Sequence, residues 1–150
     1  MKFILTRELG RLAKWLRILG FDTLYFNQDN PGSLIIQALR DERIILTRNQ
    51  HLPQARGVKI IHVRAETLKG QIPQIIEELN IKLDNQRMFT RCILCNEPLT
   101  NIEKEKAQGR VPEYVFSTQN DFVSCPKCQR IYWQGTHWGN VIKTLQEIGR

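Results

Sequence analysis

Lys2-Phe3-Ile4-Leu5-Thr6-Arg7-Glu8-Leu9-Gly10-Arg11-Leu12-Ala13-Lys14-Trp15-Leu16-Arg17-Ile18-Leu19-Gly20-Phe21-Asp22-Thr23-Leu24-Tyr25-Phe26 decides the architecture of the N-terminal part. Lys2 to Leu5 is a short apolar run that suits a buried strand. A helix is expected from about Arg7 to Leu19. Leu9, Leu12, Ala13, Leu16 and Leu19 recur at helical spacing and make one apolar face. Gly20 stands where the helix should end, since glycine takes a left-handed conformation without a Cβ penalty. Thr23 to Phe26 reads as a second strand.

The same alternation continues outward. Asn30-Pro31 is a helix start, with asparagine as the cap and proline at the first helical position. Leu34, Ile35, Ala38 and Leu39 carry that helix. Arg43 to Thr47 and Val58 to Val63 read as a third and a fourth strand. A helix from about Gln71 to Leu79 closes this part, with Pro73 in its first turn. Strands alternating with helices predict an α/β fold, a parallel sheet covered on both faces. The strands are nearly continuous apolar runs, as strands buried on both sides are.

Asn80 to Thr90 is polar and reads as a linker. Beyond it lie all four cysteines, in two pairs: Cys92-Ile93-Leu94-Cys95 and Cys125-Pro126-Lys127-Cys128. Each Cys-x-x-Cys turn offers two sulfurs to one ion, and two turns complete a tetrahedral site. Four thiolates suit a closed structural Zn²⁺ site; a rubredoxin-type iron centre is the alternative. Two disulfides are formally possible, but nothing in Met1-Lys2-Phe3-Ile4-Leu5 reads as a secretion signal. The chain is therefore expected to be cytoplasmic, with its thiols as ligands of a metal ion. A polar insert covers Glu103 to Gln108. A last helix is expected from about Trp138 to Ile148, capped by Thr136.

The chain has 150 residues and a net charge of +7. No apolar run is long enough to span a bilayer. There is no Gly-rich phosphate loop and no serine or cysteine placed for a nucleophilic triad. Residues 1–88 hold 14 basic and 9 acidic residues, a balance of +5, and residues 89–150 a balance of only +2. Four thiolates on one Zn²⁺ would add −2 to the second part. The excess positive charge thus belongs to the first part and favours an anionic partner, nucleic acid above all. Arg7, Arg11 and Lys14, with Arg17 close by, form a stripe opposite the apolar face of the first helix, suited to a phosphate backbone. Trp15 and His62 read as core residues. His51 follows Asn49 in a loop. Trp133, His137 and Trp138 read as packing for the small C-terminal core.

These residues resemble a known family. Leu9-Gly10-Arg11-Leu12-Ala13-Lys14-Trp15-Leu16-Arg17, then Leu19-Gly20-Phe21-Asp22-Thr23 and Ile45-Leu46-Thr47-Arg48, are similar to Mut7-C signatures. So are Arg91-Cys92, Cys95-Asn96, Arg110-Val111-Pro112, Cys125-Pro126, Tyr132-Trp133 and Gly135-Thr136-His137-Trp138. The resemblance implies a PIN-like α/β nuclease domain over residues 1–85, then a zinc ribbon over 86–150. It also implies a metal-dependent ribonuclease, in which strand-end carboxylates hold Mg²⁺ or Mn²⁺.

The family places one aspartate directly after the first strand and another after the Thr-Arg of the third. Here those positions are Thr6 and Asn49. Of the implied acidic set Asp22 remains, and Asp29 could substitute. The phosphate contacts are kept: Arg7, Arg11, Lys14, Arg17 and Arg48. The reading that follows is an RNA-binding protein, for tRNA or rRNA, with weak or no nuclease activity. The alternatives are an active ribonuclease and a protein–protein adaptor.

Overall fold

A computed structural model describes residues 1–133. The chain divides into two compact units, Met1–Phe89 and a second that begins at Thr90.

The first unit is built on four parallel strands: β1 (Lys2–Thr6), β2 (Asp22–Phe26), β3 (Ile44–Thr47) and β4 (Ile60–His62). Their order in the sheet is β2-β1-β3-β4. Three helices connect or follow them: α1 (Gly10–Ile18), α2 (Pro31–Asp41) and α3 (Leu68–Glu78). Phe3, Ile4, Leu5, Ile45 and Leu46 in the two central strands are fully buried, which explains why those strands read as unbroken apolar runs. Leu34 and Ala38 of α2 pack with Ile4, Phe26, Ile45 and Leu52. The Asn30 side chain accepts the Ser33 N–H at 3.1 Å and caps α2, with Pro31 in its first turn.

Three sequence expectations shift. The first helix begins at Gly10, because Arg7–Leu9 forms a separate 3-10 turn. Helix α3 begins at Leu68, so Pro73 lies inside the helix rather than in its first turn. The fourth strand is shorter than expected, and its outer edge is closed by a side chain. Gln74 of α3 donates to the His62 carbonyl at 2.8 Å and accepts the Arg64 N–H at 2.9 Å. Its amide thus takes the place of a neighbouring strand's peptide and shields an exposed edge.

Gly20 does end the first helix, at φ +97°, with its N–H bonded to the Arg17 carbonyl at 3.0 Å. A Cβ there would come within 2.3 Å of the Arg87 carbonyl, so glycine is required twice over. Phe89 donates its N–H to the Ile18 carbonyl at 2.9 Å, which ties the segment before Thr90 to the end of α1.

The second unit carries an antiparallel sheet of β5 (Thr100–Ile102), β6 (Phe122–Ser124) and β7 (Ile131–Trp133), in that order. Two short helices lie between β5 and β6: α4 (Lys104–Ala107), within the insert that reads as polar, and α5 (Glu113–Thr118). Ala107, Val115 and Phe122 form its small core, and Trp133 packs against Phe122 at 6.5 Å between ring centroids. The expected helix over 138–148, Thr136, His137 and Trp138 lie outside the described residues. Among the described residues no helix is long and apolar enough to cross a membrane.

Candidate functional site

In the first unit, β1 connects to β2 on one side and β3 connects to β4 on the other. Their carboxyl ends therefore flank a crevice, the usual place for a ligand on an open parallel sheet. A cleft of about 80 Å³ lies there, lined by Thr6, Arg7, Glu8, Asp29, Asn30, Asn49 and apolar neighbours.

Glu8 organises the mouth of this cleft. The 3-10 turn sends its carboxylate back over the strand ends rather than along the face of α1. Glu8 Oε1 accepts the Thr6 hydroxyl at 2.6 Å and the Arg48 N–H at 2.9 Å, and lies 3.4 Å from the Thr47 hydroxyl. The Thr6 and Thr47 hydroxyls are 3.0 Å apart, and Thr47 Oγ1 accepts the Asn49 N–H at 3.0 Å. An ionised carboxylate only accepts, so the Thr6 and Thr47 hydroxyls and the Arg48 amide all donate toward Glu8. Burial alone would raise the Glu8 pKa. The bonds from Thr6, Arg48 and Thr47 outweigh burial and hold it below the ordinary glutamate value. Sequence reading passed over Glu8, because a continuous helix from Arg7 would have turned it away from the strand ends.

The other sequence candidates separate. Thr6, Asn49 and Asp29 meet in the cleft. The Asn49 side chain accepts the His51 N–H at 3.0 Å and so closes its own loop. Asp22 does not join them. It opens β2 in register with Lys2, at the amino ends of the parallel strands, and pairs with Arg43 at 2.8 Å. Its carboxylate serves the opposite edge of the sheet, which removes it from any catalytic set in the cleft. Arg17 also leaves the expected group. It is 8% exposed, and its Nε donates to the Thr23 carbonyl at 2.9 Å. Arg7, Arg11, Lys14 and Arg48 are exposed, and Trp15 is half-buried.

In the second unit, Cys92, Cys95, Cys125 and Cys128 come together, with all four sulfurs within 4.8 Å of one another. Among the described residues this is the one group of three or more His, Cys, Asp or Glu side chains placed to hold a metal ion. The Cys92 and Cys128 sulfurs are 3.7 Å apart. A disulfide needs about 2.05 Å. Tetrahedral bonds of about 2.3 Å to Zn²⁺ place sulfurs roughly 3.8 Å apart. The donor set thus fits a tetrahedral metal ion.

Each pair sits in the same turn. Cys92 N–H donates to the Glu97 carbonyl and Asn96 N–H to the Cys92 carbonyl, both at 2.9 Å. Cys125 N–H donates to the Arg130 carbonyl and Gln129 N–H to the Cys125 carbonyl, again both at 2.9 Å. Asn96 and Gln129 take the left-handed conformation, at φ 67° and 66°.

The thiols differ in acidity. Burial would raise Cys92, but the Tyr132 hydroxyl at 3.2 Å and the Cys95 and Leu94 amides bring it down to about 7. Burial and the sulfurs of Cys128, Cys125 and Cys92 push Cys95 up to about 12. Four such groups ionise together only when a cation compensates them.

No significant match is found among curated proteins or among solved structures. The family model described as Mut7-C RNAse domain matches residues 1–145. With the parallel α/β unit and the four-cysteine cluster beside that match, the chain belongs to the Mut7-C RNAse domain family.

Proposed function

We propose that the chain is an RNA-binding member of its family with weak or no nuclease activity. The observation that carries this reading is the composition of the cleft. Among the described residues that line it, the acids are Glu8 and Asp29, and Glu8 Oε1 is engaged by Thr6, Thr47 and the Arg48 amide. Thr6 and Asn49 bring no negative charge. A hydrolytic Mg²⁺ is normally held by carboxylates together with substrate phosphates, and two-metal hydrolysis needs more of them.

Exposed Arg7 lines the cleft, Arg48 follows the carboxyl end of β3, and Arg11 and Lys14 are exposed on α1; together they would supply phosphate contacts. The sheet order and the covering helices support a PIN-like reading of residues 1–85. The sulfur spacing supports structural Zn²⁺ in a ribbon over 86–150, and free thiols suit a reducing compartment such as the cytoplasm. A second reading, an active metal-dependent ribonuclease, draws support from Glu8 and Asp29 sharing one cleft.

Titration against tRNA and rRNA fragments at 50 and 200 mM salt tests the binding claim. Four phosphate contacts predict a loss of affinity of roughly 10²-fold across that range. Equal affinity at both salts, or no binding, contradicts it.

A further inference from the structure

The two metal-binding turns are matched beyond their backbone. In each, an arginine donates to the carbonyl of the left-handed residue after the second cysteine. Arg91 Nη1 reaches the Asn96 oxygen at 2.7 Å, and Arg110 Nη2 reaches the Gln129 oxygen at 2.8 Å. The two arginines come from unrelated places in the sequence. Arg91 precedes its own first cysteine, whereas Arg110 lies 19 residues from Gln129, before α5. Equivalent contacts from non-equivalent positions indicate a requirement of the turn itself. A charge-assisted bond of this length is stronger than a neutral one and fixes the direction of the peptide it holds.

That direction matters to the sulfurs. The amides inside each turn point at the first cysteine: the Lys127 and Cys128 N–H groups lie 3.4 and 3.5 Å from Cys125 Sγ. An arginine bond to the closing peptide keeps the turn wound and those amides aimed. It also sets a permanent positive charge beside a centre that carries −2 when four thiolates hold Zn²⁺.

We infer that Arg91 and Arg110 are paired positioning residues for the metal centre, each locking one cysteine turn so that the site retains its ion. This rests on the metal reading of the four cysteines, and on nothing in the RNA reading. Ligands are held in place by partners outside the coordination sphere, and losing such a partner commonly costs ten- to a hundredfold in metal affinity.

The test is zinc release from the full-length, zinc-loaded protein to a colorimetric chelator, with Co²⁺ substitution as a spectroscopic readout. Arg91→Met and Arg110→Met are each expected to speed release about tenfold or more. They should also alter the thiolate-to-Co²⁺ absorption bands. Lys106→Met removes an exposed charge of the same unit, on α4 and outside both cysteine turns, and should release zinc at the wild-type rate. Arg91→Lys and Arg110→Lys keep the charge without the guanidinium geometry and should recover only part of the retention. Unchanged rates and spectra in both arginine-to-methionine variants, or an equal effect of Lys106→Met, would overturn the inference. A wild-type protein that takes up no zinc would overturn the metal reading as well. A zinc-loaded wild type with indifferent arginines defeats the inference alone.

Discussion

The Glu8 carboxylate and the Thr6 hydroxyl meet at 2.6 Å over the carboxyl ends of β1 and β3. Thr6 is the position at which the sequence resemblance leads one to expect an aspartate. A negative charge is present near that position, carried by the exposed Glu8 two places further along, one of whose carboxylate oxygens is engaged by the protein. The same oxygen takes the Arg48 amide, so Glu8 joins the turn after β1 to the loop after β3.

Glu8→Gln should cost about 1 kcal/mol of stability at neutral pH, a charge-assisted bond discounted for its exposure. The sign of the pH dependence follows from the depressed pKa. A carboxyl whose folded pKa lies below its unfolded value contributes stability above the unfolded value. That contribution is lost as pH falls through the folded value. Urea melts of wild type and Glu8→Gln should thus differ at pH 7 and converge in the acid range. Parallel curves at all pH values would remove Glu8 from this role.

Arg17 and its neighbours on the first helix should separate in two assays. Arg17→Met removes the buried bond to the Thr23 carbonyl and should cost about 2 kcal/mol of stability. It should leave the salt dependence of RNA binding alone. Arg11→Ala and Lys14→Ala should do the reverse, with each lowering the salt slope by about 1. An Arg17→Met protein of normal stability and weakened RNA binding would restore Arg17 to the interface.

Gln74→Leu should destabilise the first unit by about 1–3 kcal/mol, because the His62 carbonyl and Arg64 N–H lose the amide that serves them. Thermal melting measures this. A neutral substitution would mean that water or rearrangement satisfies the strand edge.

Zinc affinity should rise with pH. Metal uptake must displace protons from the thiols, since Cys95 lies near 12 and even Cys92 lies near 7 without a metal. Competition titrations should show affinity gaining about tenfold per pH unit for each proton released. Affinity flat from pH 6 to 8 would contradict a four-thiolate site.

Much of this was legible in the sequence. The buried strands announce themselves as apolar runs, Asn30-Pro31 caps α2, Gly20 closes the first helix, and the cysteine pairs meet. Three placements differ from the sequence expectation, each for a local reason that periodicity does not carry. Asp22 begins its strand while Thr6 ends one, so in a parallel sheet they point to opposite edges. Arg17 sits at the margin between the polar and apolar faces of α1, and the following turn to β2 brings the Thr23 carbonyl to its guanidinium. Glu8 was hidden because the chain makes a 3-10 turn where apolar spacing suggests a single α-helix. Neither the arginine bonds to the cysteine turns nor the Gln74 edge contact leaves any pattern in spacing, since each joins positions set by tertiary structure.

The most direct measurement is RNA cleavage with Mg²⁺ or Mn²⁺, by wild type beside Thr6→Asp/Asn49→Asp, with binding measured on the same RNAs. Asp22→Asn serves as a variant at the far edge of the sheet. The account predicts that wild type and Asp22→Asn bind without cutting, and that the double variant gains metal-dependent cleavage. Metal-dependent cleavage by wild type that Glu8→Gln or Asp29→Asn abolishes would contradict it and make the protein a ribonuclease with a relocated acidic site.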